Sequence, residues 1–133
     1  LEVDALQGAP GVHSAYWAGT EGSRAERDAR NNAKLVESMR GVPAHRRQAR
    51  FVCTMCIATP DGAVLVETRG EFEGVITDEP RGAHGFGYDP HLFLPDRGVS
   101  SAELPPHEKN EVSHRGRAVR RLAYLITHKR IEW

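Results

Sequence analysis

The stretch Gly85-Phe86-Gly87-Tyr88-Asp89-Pro90, with its downstream echo Ser113-His114-Arg115, decides how this chain is read. The first places two aromatic rings and a carboxylate on a turn punctuated by glycines. Glycine adopts backbone conformations that other residues resist, so the main chain there can approach a ligand closely. Phe86 and Tyr88 offer ring faces, and stacking a base on such a face is worth about 1–3 kcal/mol. Asp89 adds an acceptor, and Pro90 stiffens the exit into the apolar run Leu92-Phe93-Leu94. The second stretch supplies a hydroxyl, an imidazole and a guanidinium, which donate to carbonyl oxygens or phosphates. A planar, polar, negatively charged ligand suits this set, and a nucleotide suits it best.

Outward from the turn, the pattern is that of one α/β unit. Downstream, Pro105-Pro106 opens a helix that carries Lys109. A last helix over residues 113–128 is expected to bury Val119, Leu122, Ala123 and Ile126. Ser113 is its N-cap, so His114 and Arg115 lie at a helix start, where backbone N–H groups favour an anion. Upstream, residues 49–59 and 63–70 read as two strands joined at Pro60-Asp61-Gly62. Residues 71–76 continue or restart the second strand, with Gly74 marking a bend or bulge. Residues 24–40 read as a helix with Ala29, Ala33, Val36 and Met39 at helical spacing. Ser23 and Glu26 form its capping box, and Gly41 stops it. The series Arg24, Arg27 and Arg30, interleaved with Glu26 and Asp28, reads as a solvated face. Residues 1–6 alternate as a short strand, and residues 12–19 form a polar-aromatic loop.

The bulk numbers set limits. With 133 residues, residues 1–133 are expected to form a single domain. Apolar residues at 39% and charged residues at 27% suit a soluble globular protein. A formal net charge of zero suggests no nucleic-acid partner. No apolar run reaches membrane-span length, no signal peptide is visible, and the absent initiating Met reads as a processed or trimmed start. A cytoplasmic setting is expected. Cys53 and Cys56 form a C-x-x-C, but in a strand-like run their thiols point to opposite faces, so two reduced core cysteines are expected rather than a redox pair or metal site.

Taken singly, each pocket residue has a plainer reading: Phe86 and Tyr88 as core, His114 as a satisfied structural histidine, Lys109 and Arg115 as surface charges. Their convergence favours nucleotide or similar anion binding. The chain also resembles the inosine triphosphate pyrophosphatase family, which hydrolyses non-standard purine nucleoside triphosphates. The resemblance runs in order through Leu1-Glu2-Val3-Asp4-Ala5-Leu6, Gly8-Ala9-Pro10-Gly11-Val12, Arg47-Gln48-Ala49-Arg50-Phe51, Gly74-Val75-Ile76, the turn at residues 85–90, Ala102-Glu103-Leu104, Glu108-Lys109-Asn110 and Ser113-His114-Arg115-Gly116. It implies an α/β fold with a mixed twisted sheet flanked by helices. It implies that Phe86, Gly87, Tyr88, Asp89, Lys109, Ser113, His114 and Arg115 bind the substrate. A homodimer, dependence on Mg2+, and products of nucleoside monophosphate and pyrophosphate are implied as well.

The chain also departs from that pattern. Tyr16 stands where the family commonly has arginine, and His84 where it often has glycine. The family's N-terminal part, with its triphosphate motif, metal-binding glutamate and catalytic Asp-Asp-Ser-Gly, would lie before Leu1. The general base and the metal ligands are therefore expected outside residues 1–133, and the fold is expected to lack the N-terminal strands. Glu71, Glu73 and Asp78 could bind a metal, but their spacing fits no strong motif. The rival expectation is a nucleotide-binding module without turnover, or an inactive truncated family member.

Overall fold

The computed structural model describes residues 1–128 and 131. Its strands β1 (Glu2–Val3), β2 (Gln48–Ala58), β3 (Val64–Ile76), β4 (Leu92–Leu94) and β5 (Val99–Ser100) follow one another in that order in a five-stranded sheet. Register is antiparallel where Glu2 faces Arg50, Val75 faces Phe93 and Phe93 faces Ser100. The helices are α1 (Arg24–Ser38), α2 (Pro106–Val112) and α3 (His114–His128). The fold class is α/β, with an antiparallel sheet. The chain divides into two compact units, residues 1–50 with 73–106, and residues 51–72 with the described residues from 107 onward.

In the first unit, α1 begins as its sequence demands. Ser23 Oγ accepts from the Glu26 amide at 3.2 Å, and the Glu26 carboxylate accepts from the Ser23 amide at 3.4 Å. The buried row of the helix is Asn31 and Leu35, continued by Met39 just past its end, as expected for Met39, while Ala29 and Ala33 are exposed and Val36 is half-buried. The expected apolar row was displaced because its first member is an amide, which an apolar count passes over. Asn31 Nδ2 donates to the carbonyls of Ser14 and Ala15, and its Oδ1 accepts from the Ala18 amide at 2.8 Å. Those bonds tie the backbone of Ser14, Ala15 and Ala18 to α1. They hold residues 11–16 as a 3-10 turn, where a loop was expected. Residues 1–6 are strand only at Glu2–Val3 and then turn into a second 3-10 segment.

Val3, Leu35, Met39, Ile76 and Leu92 are the innermost side chains of this unit. Arg47 braces them from one side: its guanidinium donates to the carbonyls of Val42 and Met39 and pairs with Asp78 at 2.9 Å. β3 runs through Gly74 without ending there. A Cβ on Gly74 would lie 2.5 Å from the Phe93 carbonyl oxygen, so glycine serves close approach of β4.

In the second unit the hairpin forms at the expected turn, with the Thr59 amide donating to Ala63 at 2.9 Å and Gly62 at φ +92°. The stripe expected on α3 is rotated. Ala118 and Leu125 are buried and Leu122 is half-buried, whereas Ala123, Val119 and Ile126 are exposed. The packing face is set by small groups in close approach, which a hydrophobicity pattern ranks below valine and isoleucine. A Cβ on Gly70 would meet the His114 carbonyl oxygen at 2.1 Å and the Ala118 nitrogen at 2.7 Å. Thr68 Oγ1 donates to the Ala118 carbonyl at 3.0 Å. Cys53 and Cys56 are free and lie three positions apart on β2, which puts them on opposite faces as expected, but neither is a core residue: Cys53 is half-buried and Cys56 exposed. Among the described residues no helix is long and apolar enough to cross a membrane.

Candidate functional site

In the first unit, the motif turn is closed on its own carboxylate. Gly85 and Gly87 stand at φ +75° and +61°, the left-handed region where a side chain is costly. Asp89 is buried, and its Oδ2 accepts from the Phe86 amide at 2.9 Å while Oδ1 accepts from Ser101 Oγ at 2.7 Å. Tyr88 is buried too, and its hydroxyl donates to the Ser14 carbonyl at 2.6 Å. Burial pushes the Tyr88 phenol well above its ordinary range, and the nearby Asp28 carboxylate adds to the shift. The hydroxyl is thereby held as a neutral donor.

Phe86 and Gly87 present differently. Phe86 is 43% exposed, with the Arg24 guanidinium 4.3 Å from its ring centroid. The Gly87 amide donates to Asp28 Oδ2, and its carbonyl accepts from Asn32 Nδ2, each at 3.0 Å. Phe86 and Gly87 therefore form the outer part of the turn, and Tyr88 and Asp89 its frame. The arginines expected to be a solvated face serve as fasteners. Besides Arg24, Arg27 donates to the Gly22 carbonyl at 2.7 Å and lies over the exposed Tyr16 ring, and Arg30 donates to the Glu21 carbonyl. Their cause is the loop packed alongside α1, which the charge pattern does not reveal. His84 is exposed, and its amide donates to the Ala102 carbonyl at 2.8 Å.

In the second unit, Lys109 lies in α2 and is half-buried. Ser113 separates α2 from α3: its amide donates to the Lys109 carbonyl at 2.8 Å, and its Oγ accepts from the Gly116 amide at 3.1 Å. It is the expected N-cap. Gly116 is tight, since a Cβ there would lie 1.8 Å from the Asn110 carbonyl oxygen. The His114 ring stacks on Phe51 with centroids 5.2 Å apart, while Arg115 is exposed on the first turn of α3. An imidazole fixed by stacking and a guanidinium at a helix start can donate to carbonyl or phosphate oxygens.

The three carboxylates weighed as metal ligands are engaged by arginines. Asp78 pairs with Arg47 at 2.9 Å, Glu71 with Arg69 at 3.0 Å and Glu73 with Arg50 at 3.8 Å. Among the described residues no group of three His, Cys, Asp or Glu side chains is placed to hold a metal ion. These residues alone do not fit a magnesium centre. Ser14, Asp28, Asn32 and Ser101 were not anticipated as partners of the turn. Asp28 and Asn32 share one face of α1 by their i, i+4 spacing, the one signal the sequence carried.

Known proteins match over most of the chain. A dITP/XTP pyrophosphatase of Listeria monocytogenes is 50% identical over 122 residues, covering 92% of this chain and 58% of that protein. Its counterpart in Frankia alni is 52% identical over 128 residues, covering 95% of this chain and 62% of that protein. The Ham1 protein of Staphylococcus aureus superposes with a TM-score of 0.84 at 36% identity, over 96% of this chain and 64% of that one. A Ham1 protein of Coxiella burnetii gives 0.85 at 37% identity, over 95% and 62%. The chain thus spans about three-fifths of the length of the relatives it matches. The Ham1 family model matches residues 1–125, and the chain belongs to the Ham1 family, the inosine triphosphate pyrophosphatase family that its motifs resemble.

Proposed function

We propose that this chain carries the nucleobase-recognition part of a pyrophosphatase acting on non-standard purine nucleoside triphosphates, inosine and xanthosine triphosphates. The observation that carries the reading is the half-identity to dITP/XTP pyrophosphatases over nine-tenths of the chain. In this reading Phe86 and Gly87 meet the base directly, while Tyr88 and Asp89 keep the turn in shape. Lys109 and Ser113 support the substrate, and His114 and Arg115 donate toward the 6-oxo group of hypoxanthine or xanthine. Adenine presents a 6-amino donor there, and leaving built-in donors unmatched can discriminate by roughly 10⁴–10⁵. Guanine shares the 6-oxo group, so its rejection falls on its 2-amino group.

The products are the nucleoside monophosphate and pyrophosphate, the ligand a small-molecule nucleotide, and the setting a cytoplasmic homodimer. Magnesium belongs to the reading as the family's cofactor and would neutralise phosphate charge. No residue of this chain is assigned as its ligand or as the general base. The test sets inosine, xanthosine, adenosine and guanosine triphosphates side by side with magnesium, using the intact protein. Fast turnover of the first two with pyrophosphate as product is expected. Equal rates on ATP would overturn the base assignment, orthophosphate as sole primary product would overturn the bond assignment, and binding without turnover would favour a non-catalytic module.

A further inference from the structure

The outer part of the motif turn is gripped from α1 through a single peptide residue. Asp28 Oδ2 accepts the Gly87 amide hydrogen, and Asn32 Nδ2 donates to the Gly87 carbonyl, each at 3.0 Å. The two residues lie one helical turn apart, so one rigid face of α1 holds both polar groups of Gly87. Gly87 stands at φ +61°, and a Cβ there would meet nothing within 4 Å, so its glycine character serves the backbone conformation alone. Arg24, one turn earlier on the same face, puts its guanidinium 4.3 Å from the Phe86 centroid. Asn32 serves little else: its Oδ1 is buried and meets no hydrogen-bond partner among the described residues. A buried acceptor left in that state is unfavourable, and the Gly87 contact is what the amide gives in return.

We propose that Asp28 and Asn32 are positioning residues for nucleobase binding, setting the Phe86-Gly87 surface through the amide and carbonyl of Gly87. The inference rests on the nucleotide-binding reading of the turn. A ring used for stacking must be held in place before the ligand arrives, since ordering it on binding would weaken affinity. Asp28 fixes the peptide unit before the Gly87 Cα and Asn32 the one after it, so loss of either lets Gly87 turn and carries the Phe86 ring with it.

The test uses Asp28→Ala, Asp28→Asn and Asn32→Ala in the intact protein. Calorimetry measures binding of an α,β-imido inosine triphosphate and, separately, of inorganic tripolyphosphate, with thermal melts and hydrogen exchange at the Gly87 amide alongside. Expected is about a tenfold loss of affinity for the nucleotide in both alanine variants. Tripolyphosphate affinity should stay unchanged, Gly87 exchange should be faster in Asp28→Ala, and Asp28→Asn, which keeps an acceptor, should recover part of the loss. Lower melting temperatures with unchanged nucleotide affinity would overturn the proposal, as would equal losses for nucleotide and tripolyphosphate. Failure of the unsubstituted protein to bind the inosine nucleotide would instead overturn the functional reading, and this inference with it.

Discussion

The motif turn at residues 85–90 and the helix start at residues 113–116 carry similar chemistry but are held by opposite means. The turn is fastened by groups far away in sequence: the side chains of Asp28, Asn32 and Ser101 and the backbone carbonyl of Ser14 all bond to it. The helix start is fastened by bonds to residues within four positions and by missing side-chain atoms. Ser113 bonds to Lys109 and Gly116, and Gly70 and Gly116 leave room where any Cβ would collide. The first arrangement is vulnerable to deleting polar atoms, the second to adding apolar ones. Substitutions ranked by their effect on stability test that contrast.

Gly70→Ala should be the most damaging. Its Cβ would sit 2.1 Å from the His114 carbonyl oxygen, and backbone cannot yield as a flexible side chain does. Overpacking of this kind costs about 3 kcal/mol, read as a shift of the urea midpoint at unchanged slope. A midpoint equal to the parent's would show that α3 does not depend on this approach. Asp89→Asn should come next on the turn side. It removes the charge from the two hydrogen bonds given by Phe86 and Ser101, a loss of roughly 2 kcal/mol. The same substitution should weaken inosine nucleotide binding, whereas Gly70→Ala that remains folded should keep the 85–90 turn intact by amide exchange.

Tyr88→Phe probes the turn more gently. It deletes the bond to the Ser14 carbonyl and should cost about 1 kcal/mol near neutral pH. Its pH signature is more telling. A tyrosine in the unfolded chain titrates near pH 10, and burial raises the folded value above that. Above pH 10 the unfolded chain therefore releases a proton that the folded chain retains, so stability falls as pH rises and is fully present below. Urea melts from pH 8 to 11 should show that decline in the parent and a shallower one in Tyr88→Phe. Parallel curves would mean that the Tyr88 hydroxyl is not buried in solution.

How much of this was legible beforehand follows from which forces are local. The capping box at Ser23, the hairpin at Pro60-Asp61-Gly62 and the cap at Ser113 depend on residues within four positions, and each was read from spacing. The buried faces of α1 and α3 were misplaced for a shared reason. Asn31 is buried because it satisfies loop backbone, and Ala118 because Gly70 admits it closely, and neither fact follows from hydrophobicity. The motif residues 86–89 were legible as a set, but not their division into Phe86 and Gly87 outside and Tyr88 and Asp89 within. That division is made by partners 12 to 74 positions away.

The smallest effect on stability, and the one that separates frame from function, belongs to Arg115→Ala. Arg115 is exposed on the first turn of α3, and substitutions at such positions usually change stability by no more than about 0.5 kcal/mol. Its proposed work is a charge-assisted hydrogen bond to the 6-oxo group of the base, worth about 1.5–3 kcal/mol when lost. The substitution should therefore leave the urea midpoint nearly unmoved while kcat/KM, or affinity where turnover is absent, falls by roughly 10- to 150-fold for inosine triphosphate. Adenosine triphosphate, which offers a donor at the same place, should lose much less, so the selectivity ratio should narrow. Arg115→Lys keeps the charge but not the planar fork and should recover only part of the loss. Were Arg115→Ala to lower the midpoint and leave the inosine ratio untouched, the guanidinium would belong to the frame of α3, and the contrast between the two motif segments would lose its functional half.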